Sequence, residues 1–498
     1  MGMISEPALP APDQRLATGT LSTLDAVAIS VSVLAPGMAM FLNVPGVAAV
    51  AGGSTPLAFL LGGIACLALA LVVIGFTRRM ASAGYAYTYA SRSLGKSAGF
   101  MAGWLYAFGL LCFVPMTMAG VSFLAIDLLH INIHWWFPLF LVGMALLVVL
   151  SIVKIKVTTR LQLIIGVITV ALIVIVDLVV TAKGGAHGNS LQPFTFGHTN
   201  KGGFNGVFYG IILGITSYIG FETAADFGEE TANPRKAIPV AVIASVGFAI
   251  LFYLWTTYSM TIGFGVKNGA AFGSDPSALK TIAAKFVGGP LPTLLELGAM
   301  LSAFVVCVGC ATAGTRTLYA MGREGVLPTW LGRTHPRFKT PANATIAVAI
   351  VSTALAALVG FGMGQAALGG QPTTVYYFFA TLGTLAVIVV YIGLCLGGAV
   401  FFKRTHAAYN VVVHLGIPVI GALLFAAALY GSIYPTPPKP LDYTPYITIV
   451  WIFLGLIAVG VLRSQRPEAV ERIGSILGEE GGEEDVEMGG SETVQPYR

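Results

Sequence analysis

Apolar runs of about twenty residues recur along this chain and constrain its fold more than any other feature. A helix of that length crosses the hydrocarbon core of a bilayer. Only 10% of the residues are charged, whereas soluble domains carry about 25%. The sequence therefore predicts an all-α polytopic membrane protein whose helices cross the lipid bilayer. Twelve spans, numbered here in chain order, are expected near 23–47, 55–76, 98–126, 134–152, 161–182, 205–228, 237–262, 290–318, 342–362, 374–402, 412–431 and 444–463.

The distribution of Lys and Arg predicts an orientation. Most basic residues outside the tails fall in the connections after even-numbered spans. The connections after odd-numbered spans hold only Lys183, Lys201, Lys267, Lys280, Lys285 and Lys439. Because cytoplasmic loops carry the excess of positive charge, both termini are expected in the cytoplasm, with the protein in the plasma or inner membrane.

The sequence motifs argue against several classes of function. No cleavable signal peptide, phosphate-binding loop, nucleophile triad or metal-ligand set is apparent, and nothing indicates nucleic-acid binding or a cofactor. All five cysteines lie in apolar segments, and Cys307 and Cys310 are best interpreted as packing residues. An enzyme is therefore not expected. The acidic, Gly-rich segment 464–498 is expected to be a disordered tail.

Two spans carry helix-breaking residues. Span 1 contains Ala35-Pro36-Gly37, and proline removes a backbone donor in mid-helix. Span 6 contains several glycines, with Thr216 and Ser217 available to freed backbone groups. The two are the first members of successive five-span sets, and paired interruptions of this kind indicate a transporter binding site.

The stretch 217–239 resembles the sixth-helix signature of the amino acid–polyamine–organocation superfamily. The similar residues are Tyr218-Ile219-Gly220-Phe221-Glu222, Glu229-Glu230, Asn233-Pro234, Arg235-Lys236 and Ile238-Pro239. Segments 81–104 and 315–328 resemble the family's loop after helix 2 and the end of helix 8. The resemblance covers about residues 20–463.

The resemblance implies an inverted repeat of five plus five helices, with two further helices and alternating access. The expected segments are a tail at 1–20, repeats at 21–186 and 187–406, two further helices at 407–463, and the acidic tail at 464–498. It also implies a substrate site between the two breaks, formed by Ser32, Ala35, Pro36, Gly37, Ser217, Tyr218, Ile219, Gly220 and Phe221.

Three features depart from the family pattern. The first break reads Leu34-Ala35-Pro36-Gly37 where many amino acid carriers have a glycine-rich loop, so its carboxylate-binding amides are fewer. Thr169 takes the place of a helix 5 lysine found in some proton-coupled members. The stretch 302–314 has few hydroxyls at its centre, so no sodium site is indicated.

Glu222 and Asp226 lie deepest among the acidic residues, and a carboxylate in a membrane needs a reason to be there. Glu222 could cap the second half of a broken helix, carry a proton, or pair with a cationic substrate. Asp226 could continue a proton route or pair with basic loops. The other acidic residues in spans, Asp25, Asp177 and Glu296, are expected at wet helix ends.

Aromatic residues near the expected site are candidates for gates. These are Phe108, Phe113, Tyr376 and Tyr377. The sequence as a whole predicts a secondary transporter of amino acids or close derivatives, with proton coupling. A polyamine or amine transporter and a substrate exchanger remain alternatives, and a membrane sensor without transport is a remote one.

Overall fold

The fold is built from helices that break at a few defined residues. The computed structural model describes residues 22–80, 85–153, 159–227, 231–323, 327–338, 340–363, 370–405 and 409–465, and these ranges contain no β-strand. The predicted N-terminal tail, residues 466–498 of the predicted acidic tail and Glu229-Glu230 lie outside them. The α-helices are α1 Thr23–Leu34, α2 Pro36–Met38, α3 Val44–Ala51, α4 Thr55–Thr77, α5 Tyr85–Leu94, α6 Lys96–Leu129, α7 Trp136–Val153, α8 Thr159–Lys183, α9 Gly203–Tyr218, α10 Pro234–Phe264, α11 Gly269–Ser274, α12 Ala278–Phe286, α13 Leu291–Arg323, α14 Ala342–Ala357, α15 Gln371–Arg404, α16 Ile417–Gly431 and α17 Thr444–Gln465.

Ten helical stretches in the described ranges are long and apolar enough to cross a membrane, judged by length and composition alone. One of them runs from Thr23 to Thr77 and includes α1 to α4. The 16-residue α9 is not among the ten. The chain is therefore a multi-pass membrane protein, and the count of twelve spans stays a prediction.

Local sequence explains where several helices begin and end. Ser22 caps α1 and exchanges hydrogen bonds with Asp25, a capping box. Gly95 has a φ of 100° between α5 and α6, and Asn233 has a φ of 52° directly before α10. Pro234 then occupies the first turn of α10, where its missing N–H costs nothing.

The longest helices, α6 and α15, pack against each other at the centre of the molecule, and α13 packs on α6. Outer helices present apolar side chains outward, among them Val142 at 67% exposure, Val167 at 65% and Phe453 at 61%. A surface of this kind is stable against lipid and is a liability in water. The sites that bear on function lie between the central helices.

Candidate functional site: two helix breaks and a buried glutamate

The first break lies at Ala35. α1 ends at Leu34, Ala35 adopts the left-handed conformation with a φ of 44°, and Pro36 begins α2. The Ala35 N–H donates to the Ser32 carbonyl at 3.2 Å. No side chain caps the first turn of α2. Since the first N–H groups of a helix have no partner within it, this turn offers donors to a ligand.

The second break lies at Ile219 and Gly220. α9 ends at Tyr218, Gly220 has a φ of 116°, and a 3₁₀-helix follows at Thr223–Phe227. A Cβ on Gly220 would lie only 2.7 Å from Val33 Cγ1 and 3.2 Å from the Leu34 nitrogen. Glycine therefore allows both the dihedral angle and the close approach of the two breaks.

Tyr253 of α10 joins the two breaks. Its hydroxyl lies 2.9 Å from the Ser217 carbonyl oxygen and 3.3 Å from the Leu34 carbonyl oxygen, which are the ends of α9 and α1. Tyr253 is fully buried. Sequence reasoning did not identify it, because a tyrosine in an apolar span carries no signal of its partners.

Glu222 is fully buried beside the second break. Its Oε2 accepts a hydrogen bond from the Gly220 N–H at 3.0 Å. Its Oε1 accepts from the hydroxyls of Tyr391 at 2.5 Å and Tyr106 at 3.3 Å. No basic side chain within the described ranges forms an ion pair with it. The carboxyl thus joins the break to α6 and α15 through neutral donors.

One side of the breaks is closed by a buried polar network, which we call the Asn43 side. It comprises α2, α3, the π-helical turn Ala39–Asn43 between them, and the end of α9. Asn43 Nδ2 donates to Ser217 Oγ at 2.9 Å, and the Tyr376 hydroxyl donates to Asn43 Oδ1 at 2.7 Å. The Tyr377 hydroxyl donates to the Leu42 carbonyl at 2.8 Å. Two of the candidate gate residues therefore hold α15 against this segment.

The opposite side, which we call the Ser30 side, comprises α1 and the 3₁₀-helix Thr223–Phe227. Ser30 Oγ accepts a hydrogen bond from the Ala224 N–H at 3.0 Å. Ser32 is half-buried, and its hydroxyl donates to the Ala28 carbonyl of its own helix at 2.7 Å. The side chain of Asp226 lies outside the described part of the structure.

The remaining candidate residues take different positions. Tyr218 is buried and donates to the Phe59 carbonyl at 3.1 Å. The ring of Phe221 lies 6.4 Å from that of Tyr391, next to Glu222. Phe113 is buried against α15, and Phe108 stacks on Trp451 of α17 at 4.4 Å. The structure therefore brings Tyr218 and Phe221 to the breaks, whereas Phe108 packs on a peripheral helix.

Thr169 of α8 lies beside the first break. A Cβ on Gly37 would lie 3.2 Å from Thr169 Cβ, and a Cβ on Gly298 would lie 3.3 Å from it. Thr169 is buried, and its hydroxyl donates to the Ile165 carbonyl at 2.7 Å. The position thus touches the break without supplying a charge.

The expectation that Asp177 and Glu296 lie at wet helix ends is wrong, because both are fully buried. Asp177 accepts hydrogen bonds from Thr256, at 2.7 Å, and from Ser259. Glu296 lies 2.8 Å from the ammonium of Lys280. Both carboxyls are bound by side chains of neighbouring helices, and not by the interfacial water that the sequence analysis expected.

Several known transporters are similar to the chain over most of its length. It is 28% identical over 454 residues to the low-affinity putrescine importer PlaP of Escherichia coli K12, covering 88% of this chain and 92% of that protein. It is 24% identical over 432 residues to the branched-chain amino acid permease BcaP of Bacillus subtilis, covering 82% and 86%. It is 26% identical over 364 residues to the methylthioribose transporter of B. subtilis, covering 69% and 76%.

The family model described as amino acid permease matches residues 21–458, which include both helix breaks and Glu222. This match confirms the resemblance that the motif at 217–239 indicated, and it identifies a transport protein rather than an enzyme. With its apolar helices and its two apposed breaks, the chain belongs to the amino acid permease family.

Proposed function

We propose that the chain is a secondary transporter that moves an amino acid across the membrane by alternating access. The observation that carries this proposal is the apposition of the two breaks, which Tyr253 bridges at 2.9 Å and 3.3 Å. Interrupted backbone is tolerated in a membrane where it is buried in protein or lines a cavity. In transporters such a pair of breaks forms the substrate site.

The helix ends at the breaks suit a zwitterion. α2 begins at Pro36 with an uncapped first turn, which is the positive end of a helix. α9 ends at Tyr218, and the last carbonyls of a helix form its negative end. A substrate carboxylate would bind the first amides, Gly37 and Met38, and the ammonium would face the end of α9.

An amine such as putrescine is the alternative substrate. Pro36 removes one amide from the carboxylate site, and a diamine has no carboxylate to place there. The three relatives are about equally similar to this chain, and their names specify three different substrates: branched-chain amino acids, putrescine and methylthioribose. Membership of the family therefore does not distinguish an amino acid substrate from an amine substrate.

We further propose that Glu222 carries the coupling proton. It is fully buried, touches the second break through the Gly220 N–H, and is held by two tyrosine hydroxyls. A carboxyl buried in a membrane protein without a cationic partner is a candidate for taking up and releasing a proton. Thr169 stands at the position of the helix 5 lysine, so that alternative proton site is absent.

The same proposal includes twelve spans in two inverted five-helix sets, with both termini cytoplasmic. The stretch Thr23–Thr77 is long enough for two spans, with a turn at Gly52, where φ is 55°. α9 and the 3₁₀-helix Thr223–Phe227 together supply one more, interrupted span. An experimental structure that cannot superpose the first set on the second by an in-plane two-fold would contradict this architecture.

Uptake by purified protein in sodium-free proteoliposomes tests the function. The panel contains branched-chain and small neutral amino acids, putrescine and methylthioribose, with and without an imposed pH gradient. We expect saturable uptake of at least one amino acid, accumulated above equilibrium only while the gradient lasts. Uptake of putrescine alone would support the amine alternative. A folded protein that transports no member of the panel would contradict the proposal.

A further inference from the structure

A cavity of about 200 Å³ lies at the C-terminal end of α6, remote from the helix breaks. Its apolar wall consists of Phe123, Ile126, Ile131 and Ile133. It lies about two helical turns along α6 from Gly120, the glycine that packs against Tyr376. The cavity is therefore on the Asn43 side, beyond the network that closes the breaks.

Asp127, Ser277 and His130 supply the polar part of the cavity wall. Asp127 Oδ2 lies 2.9 Å from the Lys280 ammonium and accepts a hydrogen bond from Ser277 Oγ at 3.2 Å. The side chain of Asp127 is 33% exposed. One oxygen of the Asp127 carboxylate is thus bound to the Lys280 ammonium, while part of the side chain still faces the cavity.

The Lys280 ammonium serves two carboxylates. It lies 2.8 Å from Glu296 Oε2, and the Glu296 side chain is only 1% exposed. Burial alone would lower the pKa of Lys280, but hydrogen bonds and charges from Glu296 and Asp127 outweigh it and hold that pKa above its ordinary value.

The surroundings add to the negative charge. Asp275 lies on the same loop and accepts hydrogen bonds from the Ser277 N–H at 2.9 Å and the Thr281 hydroxyl at 2.6 Å. The nearby Lys285 donates instead to the Gly263 carbonyl at 3.1 Å. The negative end of the long helix α6 also points here. Asp127 and Glu296 thus share one ammonium, Asp275 adds a carboxylate that does not contact it, and a second cation at Asp127 would reduce the imbalance.

We propose that this cavity is a binding site for an aliphatic primary ammonium compound, separate from the helix breaks. The ligand ammonium binds the exposed edge of Asp127 beside Lys280, and its alkyl chain lies along Phe123, Ile126 and Ile131. Lys280 itself is an alkylammonium and shows that these carboxylates accept that group at 2.8–2.9 Å. A cavity of about 200 Å³ accommodates a chain of a few carbons.

Saturation binding of radiolabelled n-butylamine to the purified full-length chain in detergent tests the site. Ile131→Trp fills the cavity without removing a charge. Asp127→Asn removes the carboxylate and leaves Lys280 paired with Glu296. Leu129→Trp is the matched control, since Leu129 is 58% exposed at the same helix end and does not line the cavity.

We expect wild type and Leu129→Trp to bind butylamine equally. Both cavity variants should bind about tenfold more weakly or worse, Asp127→Asn because a charged hydrogen bond is lost and Ile131→Trp because the indole occupies the space of the alkyl chain. Unlabelled butylamine should displace the label, and n-butanol should not. The proposal is overturned if wild type shows no saturable binding, if both cavity variants bind as wild type does, or if butanol competes equally. Binding is measured without transport, so this result is independent of the uptake experiment.

Discussion

The Asn43 side and the Ser30 side of the two breaks are built from the same two chain segments, yet they are held very differently. From Leu34 to Ala48 every residue is buried, and Asn43, Ser217 and Tyr376 form a continuous hydrogen-bonded chain. On the Ser30 side, most of α1 is half-buried or exposed, and Leu24 is 79% exposed.

The difference indicates a molecule that is closed on the Asn43 side of the proposed substrate site and is joined by fewer of the described hydrogen bonds on the other. Buried hydrogen bonds are expensive to leave unmade, at about 1–3 kcal/mol for each orphaned group. Opening the Asn43 side breaks several such bonds at once, whereas moving α1 breaks fewer of the bonds that the structure describes. Alternating access through these breaks would therefore begin with α1.

The largest expected effect is that of Gly220→Val, because Gly220 lies where the two sides meet. The substitution places a branched side chain at a φ of 116° and against Val33. Strain and overpacking together should destabilise the protein by about 2–5 kcal/mol. Thermal unfolding of the detergent-solubilised protein measures this.

Gly247→Ala is the matched control, because open space surrounds Gly247 within α10. It should leave the stability unchanged or raise it by up to about 1 kcal/mol. Equal melting temperatures for Gly220→Val and wild type would show that the breaks do not need this close approach.

The next prediction concerns Glu222→Gln. If Glu222 carries the proton, the variant binds substrate and exchanges internal for external substrate, but loses accumulation driven by a pH gradient. If the residue only caps the break, the amide keeps part of the hydrogen bonding and pH-driven uptake persists. If it pairs with a cationic substrate, amine binding weakens and neutral amino acids are unaffected. Binding and pH-jump uptake on both proteins separate these outcomes, and unaltered proton-driven accumulation excludes the proton role.

Much of the fold follows from local sequence. Hydropathy predicts where the long helices run, because an apolar stretch of about twenty residues has few other stable forms. Pro36 predicts an interruption at that point, and α1 does end at Leu34. The residue that takes the left-handed conformation is Ala35, directly before Pro36, which lies in the first turn of α2.

The partners within the site could not be predicted in the same way. Glu222 meets Tyr106 and Tyr391, which are 116 and 169 positions away in the chain. Tyr253 reaches the breaks from another helix, and the hydroxyls that bury Asp177 also come from α10. Sequence periodicity contains no information about which helix faces which residue, so these contacts emerge only with the packing.

Tyr376→Phe should loosen the Asn43 side selectively. It leaves Asn43 Oδ1 without its donor in a buried site, which costs about 1–3 kcal/mol. Hydrogen–deuterium exchange of the segment 36–51 should therefore speed up, while exchange of α1, already faster in the wild type, stays the same. Tyr446→Phe is the control, since Tyr446 is 64% exposed on α17. Equal exchange across both segments in the wild type would contradict the comparison itself.

The smallest expected effect is that of Ser30→Ala on the Ser30 side. The substitution removes the acceptor of the Ala224 N–H, a single bond of 3.0 Å. Ser30 and Ala224 are both buried, so the orphaned amide should cost about 1 kcal/mol, the low end of the range because the partly exposed α1 can adjust, and faster exchange should be confined to the segment 223–227. Ser32→Ala, two residues away, should be nearly neutral, because that hydroxyl bonds only to its own helix at Ala28. A larger loss of stability in Ser30→Ala than in Tyr376→Phe would reverse the order of the two sides, and α1 would then not be the segment that moves first.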